Sequence, residues 1–483
     1  MYSLINILLT ALTATTYIVP TDYTQIQYAI DASVDGDSIL VLPGLYFGFD
    51  YLGKNVHVES VAGPDSTRIL SWINITTSEG RGAVLKGFEV STSVGYEQYP
   101  IVVEDASPSI IGNVFRNHHW EYYGVMYEDA KNGGVIKLTN SSALLAGNTF
   151  MDNSIWWDSW YGGGDYSICR GLCVYVDNSE TLSSCVEMRN NTFYNNTAGT
   201  YGVYTYGLCV YVKGKAVIEN NLFYSNGFTT NSFFTCKGNA LCVETYSDVD
   251  VINCTFNHNY IFADALHMRS IAILDSTSCN ISCSIVWDDI IFDPYDQISV
   301  EYSNVENGWP GTGNIDEDPL FFSGGLSPYH LTPSSNCIDG GNPDPVYNDP
   351  EDPGNPGFAL WPALGDLRND MGVYGGPGAR YWSETGTGIG EYSLPDQHGI
   401  PIMLGIYPNP TSHAPLVTFT LAENNYVELS IFDLTGRLIS SPIQGEFPQG
   451  VYEVQLAKLT PGIYFCRIVS EDYSLSQRFV VIE

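Results

Sequence analysis

One short segment, a phenylalanine set among asparagines, recurs five times along the middle of the chain: GNVFRNH, GNTFMDN, NNTFYNN, NNLFYSN and NCTFNHN. The phenylalanines are Phe115, Phe150, Phe193, Phe223 and Phe256, at spacings of 35, 43, 30 and 33 residues. Asparagine stands two residues before Phe in four copies (Asn113, Asn148, Asn191, Asn221) and three after in four (Asn153, Asn196, Asn226, Asn259). Asparagine tolerates left-handed backbone, and stacked amides hydrogen-bond to one another. Ahead of each copy runs a β-branched stretch: PIVVED, GVIKLT, GLCVYV, GLCVYV and ALCVET, with ALHMRS ahead of a sixth, SIVWDD. Such runs are strands. Strands that return once per repeat with no crossover helix build a solenoid. The expected fold is all-β, a right-handed parallel β-helix with the five Phe rings in one inward column.

Strand parity follows from aligning the six runs. Ile101, Val135, Leu172, Leu208, Leu241 and Leu266 form one apolar column, and Val103, Lys137, Val174, Val210, Val243 and Met268 the next. These are expected to face the core. The intervening columns then face outward: Val102, Ile136, Cys173, Cys209, Cys242 and His267; Glu104, Leu138, Tyr175, Tyr211, Glu244 and Arg269. A slip of one residue reverses the assignment.

Between coils lie four insertions, 118–133, 154–170, 197–206 and 227–239, all leaving the coil after the Phe/Asn corner. They hold 15 aromatic residues in 56, about twice the chain's 13%. Loops on one edge of a solenoid are its usual binding face. Sugar rings stack on Trp and Tyr while carboxylates take their hydroxyls. The carbohydrate-binding candidates are therefore Trp120, Tyr122, Tyr123, Trp156, Trp157, Trp160, Tyr161 and Tyr201, with Tyr175 and Tyr211 from the outward strand face. Glu121, Asp158 and Asp165 are the polar partners. The competing account is a satellite core that packs the loops down. Glu244, His267 and Arg269, on neighbouring coils, are the catalytic candidates for acid/base work on a glycan; a solvated or loop-bonded polar trio is the simpler account.

The 483 residues carry a formal charge of −35. That excess of acid disfavours phosphate-neutralising nucleic-acid binding and docking on an anionic membrane. The apolar run LINILLTALTA is too short to span a bilayer and fits a signal-peptide core, which makes 1–16 the expected leader. No cation precedes it, so a buried first strand is the alternative. The eleven cysteines show no paired Cys-x-x-Cys spacing, which argues against zinc. Cys173, Cys209 and Cys242 are expected in one column, either as a disulfide plus a thiol, paired with Cys169 and Cys236, or as unpaired thiols. Asp339, Asp344, Asp349, Glu351, Asp352, Asp366 and Asp370 crowd one Pro/Gly-rich segment. No cofactor is expected, with calcium the single candidate for these acids; Asp-Pro and Asp-Gly turns are the simpler account.

Three stretches carry family resemblances. DYTQIQYAIDASVDGDSILVLPGLY, followed by GKNVHVESVAGPDSTRI, resembles the opening of pectin-lyase-like β-helix proteins. There Asp22 and Gln25 fit a capping box, and Ile26, Ala29 and Ile30 the buried side of a short helix that plugs the core. SIVWDD, VEYSNVENGWPGTGNIDEDPLFF, YHLTPSSNCIDGGNP and MGVYGGPG resemble the closing segment of right-handed β-helix repeat proteins. The Gly-His-Gly and Arg-Ile-Lys pattern of the pectin-family hydrolases is absent. Residues 402–483 resemble the type A C-terminal sorting domain of the type IX secretion system, through IYPNP (Tyr407, Pro408, Asn409, Pro410), VELSIFDLTGRLI and the terminal PGIYFCRIVSEDYSLSQRFVVIE. The resemblance implies an immunoglobulin-like sandwich, the secretion machinery as a partner, and a secreted or outer-membrane surface-attached protein. The expected plan is a β-helix over 17–380, a linker over 381–401 and the sorting domain over 402–483. The expected function is binding of an extracellular polysaccharide. A polysaccharide lyase or glycoside hydrolase on the same groove is the alternative, and an adhesin or structural stalk the third reading.

Overall fold

The computed structural model describes residues 14–91, 99–123, 131–132, 134–158, 167–181, 183–201, 203–228, 236–259, 270–274, 277–288, 290–292, 297–321, 329–352, 355–379, 402–407, 414–421, 425–433, 437–448, 450–469 and 474–481. Three long parallel sheets of eleven, ten and eight strands run the length of the solenoid. Each coil visits them in turn: Ser109–Ile111 lies in the first, Val114–Arg116 in the second, and Ile136–Thr139, reached through an insertion, in the third. The turns need left-handed backbone, and asparagine supplies it: Asn117, Asn140, Asn190, Asn195, Asn220 and Asn253 all have φ between 49° and 59°.

The Phe column is as the repeat predicts. Phe115 pairs with Phe150, Phe150 with Phe193, Phe193 with Phe223 and Phe223 with Phe256. Successive ring centroids lie 4.8, 4.8, 4.6 and 4.7 Å apart, and every ring is wholly buried. Two asparagine ladders flank it. In one, the Nδ2 of Asn113, Asn148 and Asn191 each donate to the Oδ1 of the next member, ending on Asn221. In the other, Asn153, Asn196 and Asn226 do the same toward Asn259, which donates in turn to the Asp288 carboxylate at 2.9 Å. Each buried amide also meets a backbone carbonyl, so the ladders carry no uncompensated polar cost.

The helix Ile26–Ala32 closes one end with Ile26, Ala29 and Ile30 buried. No capping box forms: the Gln25 side chain makes no cap bond, and Asp22 instead accepts the Ile18 N–H. Residues 1–13 of the expected leader lie outside the described residues. Thr16 already belongs to the first strand, Thr16–Val19, paired with Ser38–Val41.

The third sheet corrects the strand alignment. Its in-register inward column is Ile101, Ile136, Val174, Val210, Leu241 and Ile271. Val135, Leu172 and Leu208, expected in that column, are buried in the same core but precede the strands, and Leu266 lies outside the described residues. The Gly-Leu-Cys pieces belong to the bend that precedes the strand, where Gly171 and Gly207 have φ near 60°. A Cβ at either glycine would sit 2.5 Å or less from a carbonyl oxygen. Lys137 therefore faces outward, and Ile136 and Leu138 inward. Cys173 and Cys209 lie in the main core, while Cys242 lies on the outer face with Tyr211 and Ala272, so the three do not share a column.

The insertions are also more regular than loops. Parts of them pair into two further parallel ladders of four strands each. The fourth ladder joins His119–Tyr123, Ser154–Asp158, Thr197–Tyr201 and Gly227–Phe228. The fifth joins Lys131–Asn132, Ser167–Arg170, Val203–Tyr206 and Cys236–Lys237. Trp120, Ile155, Ala198 and Cys169 from these ladders belong to the main core.

Parts of the described segments 329–352 and 355–379 pack on the outer face of the second sheet. Val373 and Tyr374 cluster with Leu222, and Met371 with Ile285. Asn220 and Asn253 donate to carbonyls of residues 370–375 in this segment. The C-terminal module has its own core around Val417, Phe419, Leu429, Ile431, Cys466 and Phe479. Its described strands form antiparallel sheets of three and four.

Candidate functional site

The outer face of the third sheet and the fifth ladder meet. From the sheet come two outward columns. One runs Val102, Lys137, Tyr175, Tyr211, Cys242 and Ala272; the next holds Glu104, Thr139, Asp177 and Lys213, and continues to Glu244. From the ladder comes the column Asn132, Arg170, Tyr206 and Lys237. The Arg170 guanidinium lies over the rings of both Tyr206 and Tyr211, and the Lys237 ammonium over Tyr206. Lys137 lies over Tyr99, which enters from the chain just before Ile101. Four of the 19 cations of a strongly acidic chain thus gather here: Lys137, Arg170, Lys213 and Lys237.

Tyr175 and Tyr211 stack 5.3 Å apart with rings 2° from parallel, and are 5% and 2% exposed. They form the floor of this corner and present no open face to a ligand. Each hydroxyl is spent on a carboxylate: Tyr175 donates to Asp177 at 3.1 Å and Tyr211 to Glu244 at 2.7 Å. Burial first, then the neighbouring carboxylate, pushes both phenols well above their ordinary value. Neither is suited to act as a tyrosinate base near neutral pH. Asp177 also faces the Lys213 ammonium at 3.9 Å.

The other candidates divide. Trp120 is buried at 5% and stacks on His118, so it is core. Trp156, at 37%, is exposed on the fourth ladder. On the same ladder the backbone sets Glu121 beside Trp156, Tyr122 beside Trp157, and Tyr123 and Asp158 in line with Tyr201. Trp160, Tyr161, Asp165, His267 and Arg269 lie outside the described residues, as do Pro408, Asn409 and Pro410. Tyr407 ends the strand Ile402–Tyr407.

Among the described residues no group of three His, Cys, Asp or Glu is placed to hold a metal. Five of the acids named between 339 and 370 accept backbone N–H groups, Asp344 from Val346 and Glu351 from Gly357 among them. Asp339 accepts from Asp366, Asp349 from Asp370 and Gly376, and Asp370 from Asp339 and Leu364. Lys137, Arg170, Tyr206 and Lys237 were not among the sequence-based candidates. The misaligned strands had turned Lys137 inward, and no local pattern marks the other three.

The family model described as a right-handed beta helix region matches residues 172–311, and that of a secretion system C-terminal sorting domain matches residues 405–482. The sorting domain marks this protein as exported by type IX secretion to the cell surface or the extracellular space. No curated protein matches the chain. Among the described residues no helix is long and apolar enough to cross a membrane.

Proposed function

We propose that this exported β-helix protein binds an extracellular polysaccharide in the corner between the third sheet and the fifth ladder. The observation that carries this reading is the convergence of Arg170 from the ladder on Tyr211 from the sheet. It brings two columns of hydrogen-bonding side chains together along the solenoid axis. Coils repeat about every 4.8 Å, so a linear glycan laid along the axis meets similar donors and acceptors at each step. Lys137, Arg170, Lys213 and Lys237 donate, and Asp177 and Glu244 accept, as sugar hydroxyls require. Trp156 supplies an exposed ring at the neighbouring ladder.

Calorimetric titration of the full chain with a panel of neutral and acidic polysaccharides tests this. Arg170→Ala and Trp156→Ala should each weaken the best ligand by roughly 1–3 kcal/mol. Trp120→Ala should instead lower thermal stability, because its ring is core. A panel with no binder, or unchanged affinity in both variants, would leave the adhesin or stalk reading.

A hydrolytic reading has one specific support. Asp177 and Glu244 occupy one outward column two coils apart, on the order of 9–10 Å by strand spacing. That lies at the upper edge of the separation that inverting glycosidases use. A reducing-end assay on the same panel, with Glu244→Gln as control, separates catalysis from binding.

A further inference from the structure

We propose that Cys173 and Cys209 join as a disulfide in the exported protein, stapling two consecutive coils behind the tyrosine floor. The two residues are in-register neighbours: Val174 pairs with Val210, and the N–H groups of Cys173 and Val174 both donate to the Cys209 carbonyl, at 3.2 and 2.9 Å. Parallel neighbours sit about 4.8 Å apart at Cα, inside the window that a disulfide spans. Both side chains are wholly buried in the same core cluster.

Among the described residues no other cysteine has this relationship. Cys169 and Cys236 are two coils apart with Thr205 between them. Cys242 lies on the opposite face of its strand. Cys254 receives the Asn221 N–H, Cys283 the Asn342 N–H, and Cys337 an Asn304 amide bond. Cys279 pairs with Val249 and Ile298. Cys185 pairs with Lys215, and Cys466 belongs to the C-terminal module.

Export sends the chain where disulfides persist. Two S–H bonds break and one S–S bond forms. The electrons and both protons pass to an external disulfide, small-molecule or protein, which leaves as two thiols. In the folded coil, burial and then the Cys173 thiol hold the Cys209 thiol well above its ordinary range. The exchange therefore belongs to folding, before the coils close over the pair. The link closes the loop 174–208, which carries Tyr175, Phe193, Asn191 and Asn196.

The test refolds the reduced full chain in a glutathione/glutathione-disulfide mixture. It is then denatured without reductant, alkylated and mapped by mass spectrometry. Cys173 and Cys209 should escape alkylation and be recovered as one cross-linked peptide pair, both labelling only after reduction. Alkylation of both without reductant, or linkage of either to a different cysteine, would overturn the proposal. Cys173→Ser should leave Cys209 fully alkylatable, whereas Cys242→Ser should leave the pair intact. The wild-type map stands alone if a variant fails to fold.

Discussion

The Arg170 guanidinium lies 5.7 Å from the centre of the Tyr211 ring and 5.8 Å from that of Tyr206. Tyr211 belongs to a strand of the β-helix proper, and Arg170 to an insertion that leaves the coil and returns. This contact makes the insertion part of the proposed binding corner. Without it, the fifth ladder would extend the coil and nothing more.

Phe193 is wholly buried, between Phe150 on one side and Phe223 on the other. Phe193→Ala removes both stacks and leaves a cavity that the neighbouring coils cannot close without moving their own rings. The expected loss is roughly 3–5 kcal/mol, read from denaturant unfolding of the variant against the parent.

Asn196 holds its ladder from both sides. Its amide donates to the Phe150 carbonyl and to Asn226, and its oxygen accepts from the Asn153 backbone and side chain. Asn196→Ala orphans buried groups on both adjacent coils, at a cost of roughly 2–4 kcal/mol. Asn196→Asp should also destabilise, since a carboxylate accepts from Asn153 but donates to neither Phe150 nor Asn226. Unfolding curves near neutral pH check both variants.

Asp349 sits beside Asp370 in the closing segment, and burial, its largest cause, pushes its carboxyl up to about 7. Asp370 is displaced upward as well, by burial and by Asp349. An acid with a raised native value holds a proton that the unfolded chain has already released. Its contribution is therefore greatest at low pH and is lost as pH rises from about 4 through about 7. The loss for Asp349 should be roughly 2–4 kcal/mol. Asp349→Asn should flatten stability against pH across that interval, whatever it does to the absolute value. A parent whose stability rises steadily from pH 4 to 7, with an unchanged slope in the variant, would contradict this.

The C-terminal module and the β-helix have separate cores in the described residues. A fragment spanning 17–385 should therefore unfold cooperatively by itself, at a midpoint close to that of the full chain. Circular dichroism during thermal unfolding measures it. A fragment without a transition would place essential core contacts beyond 385.

The Phe and Asn columns were legible from sequence because each repeats one residue type over five or four successive coils. An asparagine amide can donate to the next amide and accept from the one before, and a ring stacks best on a ring, so the chain repeats itself where the columns run. The third sheet offered no such marker. Val, Ile and Leu fit any inward position, and a misplaced strand start cost the parity of Lys137 and grouped Cys242 with Cys173 and Cys209. The insertions read as aromatic loops because their strands alternate poorly and their lengths vary. Only the assembled coil supplies the parallel neighbours that turn them into ladders. The sequence by itself therefore determined the solenoid, its Phe and Asn columns and the exported address, all of which rest on local or repeating chemistry. Tertiary structure alone decided that Trp120 is core while Trp156 is exposed, and that Tyr175 and Tyr211 are floor. It alone brought Arg170, Lys137 and Lys237 together, because those contacts join residues that only the bend of the chain brings near.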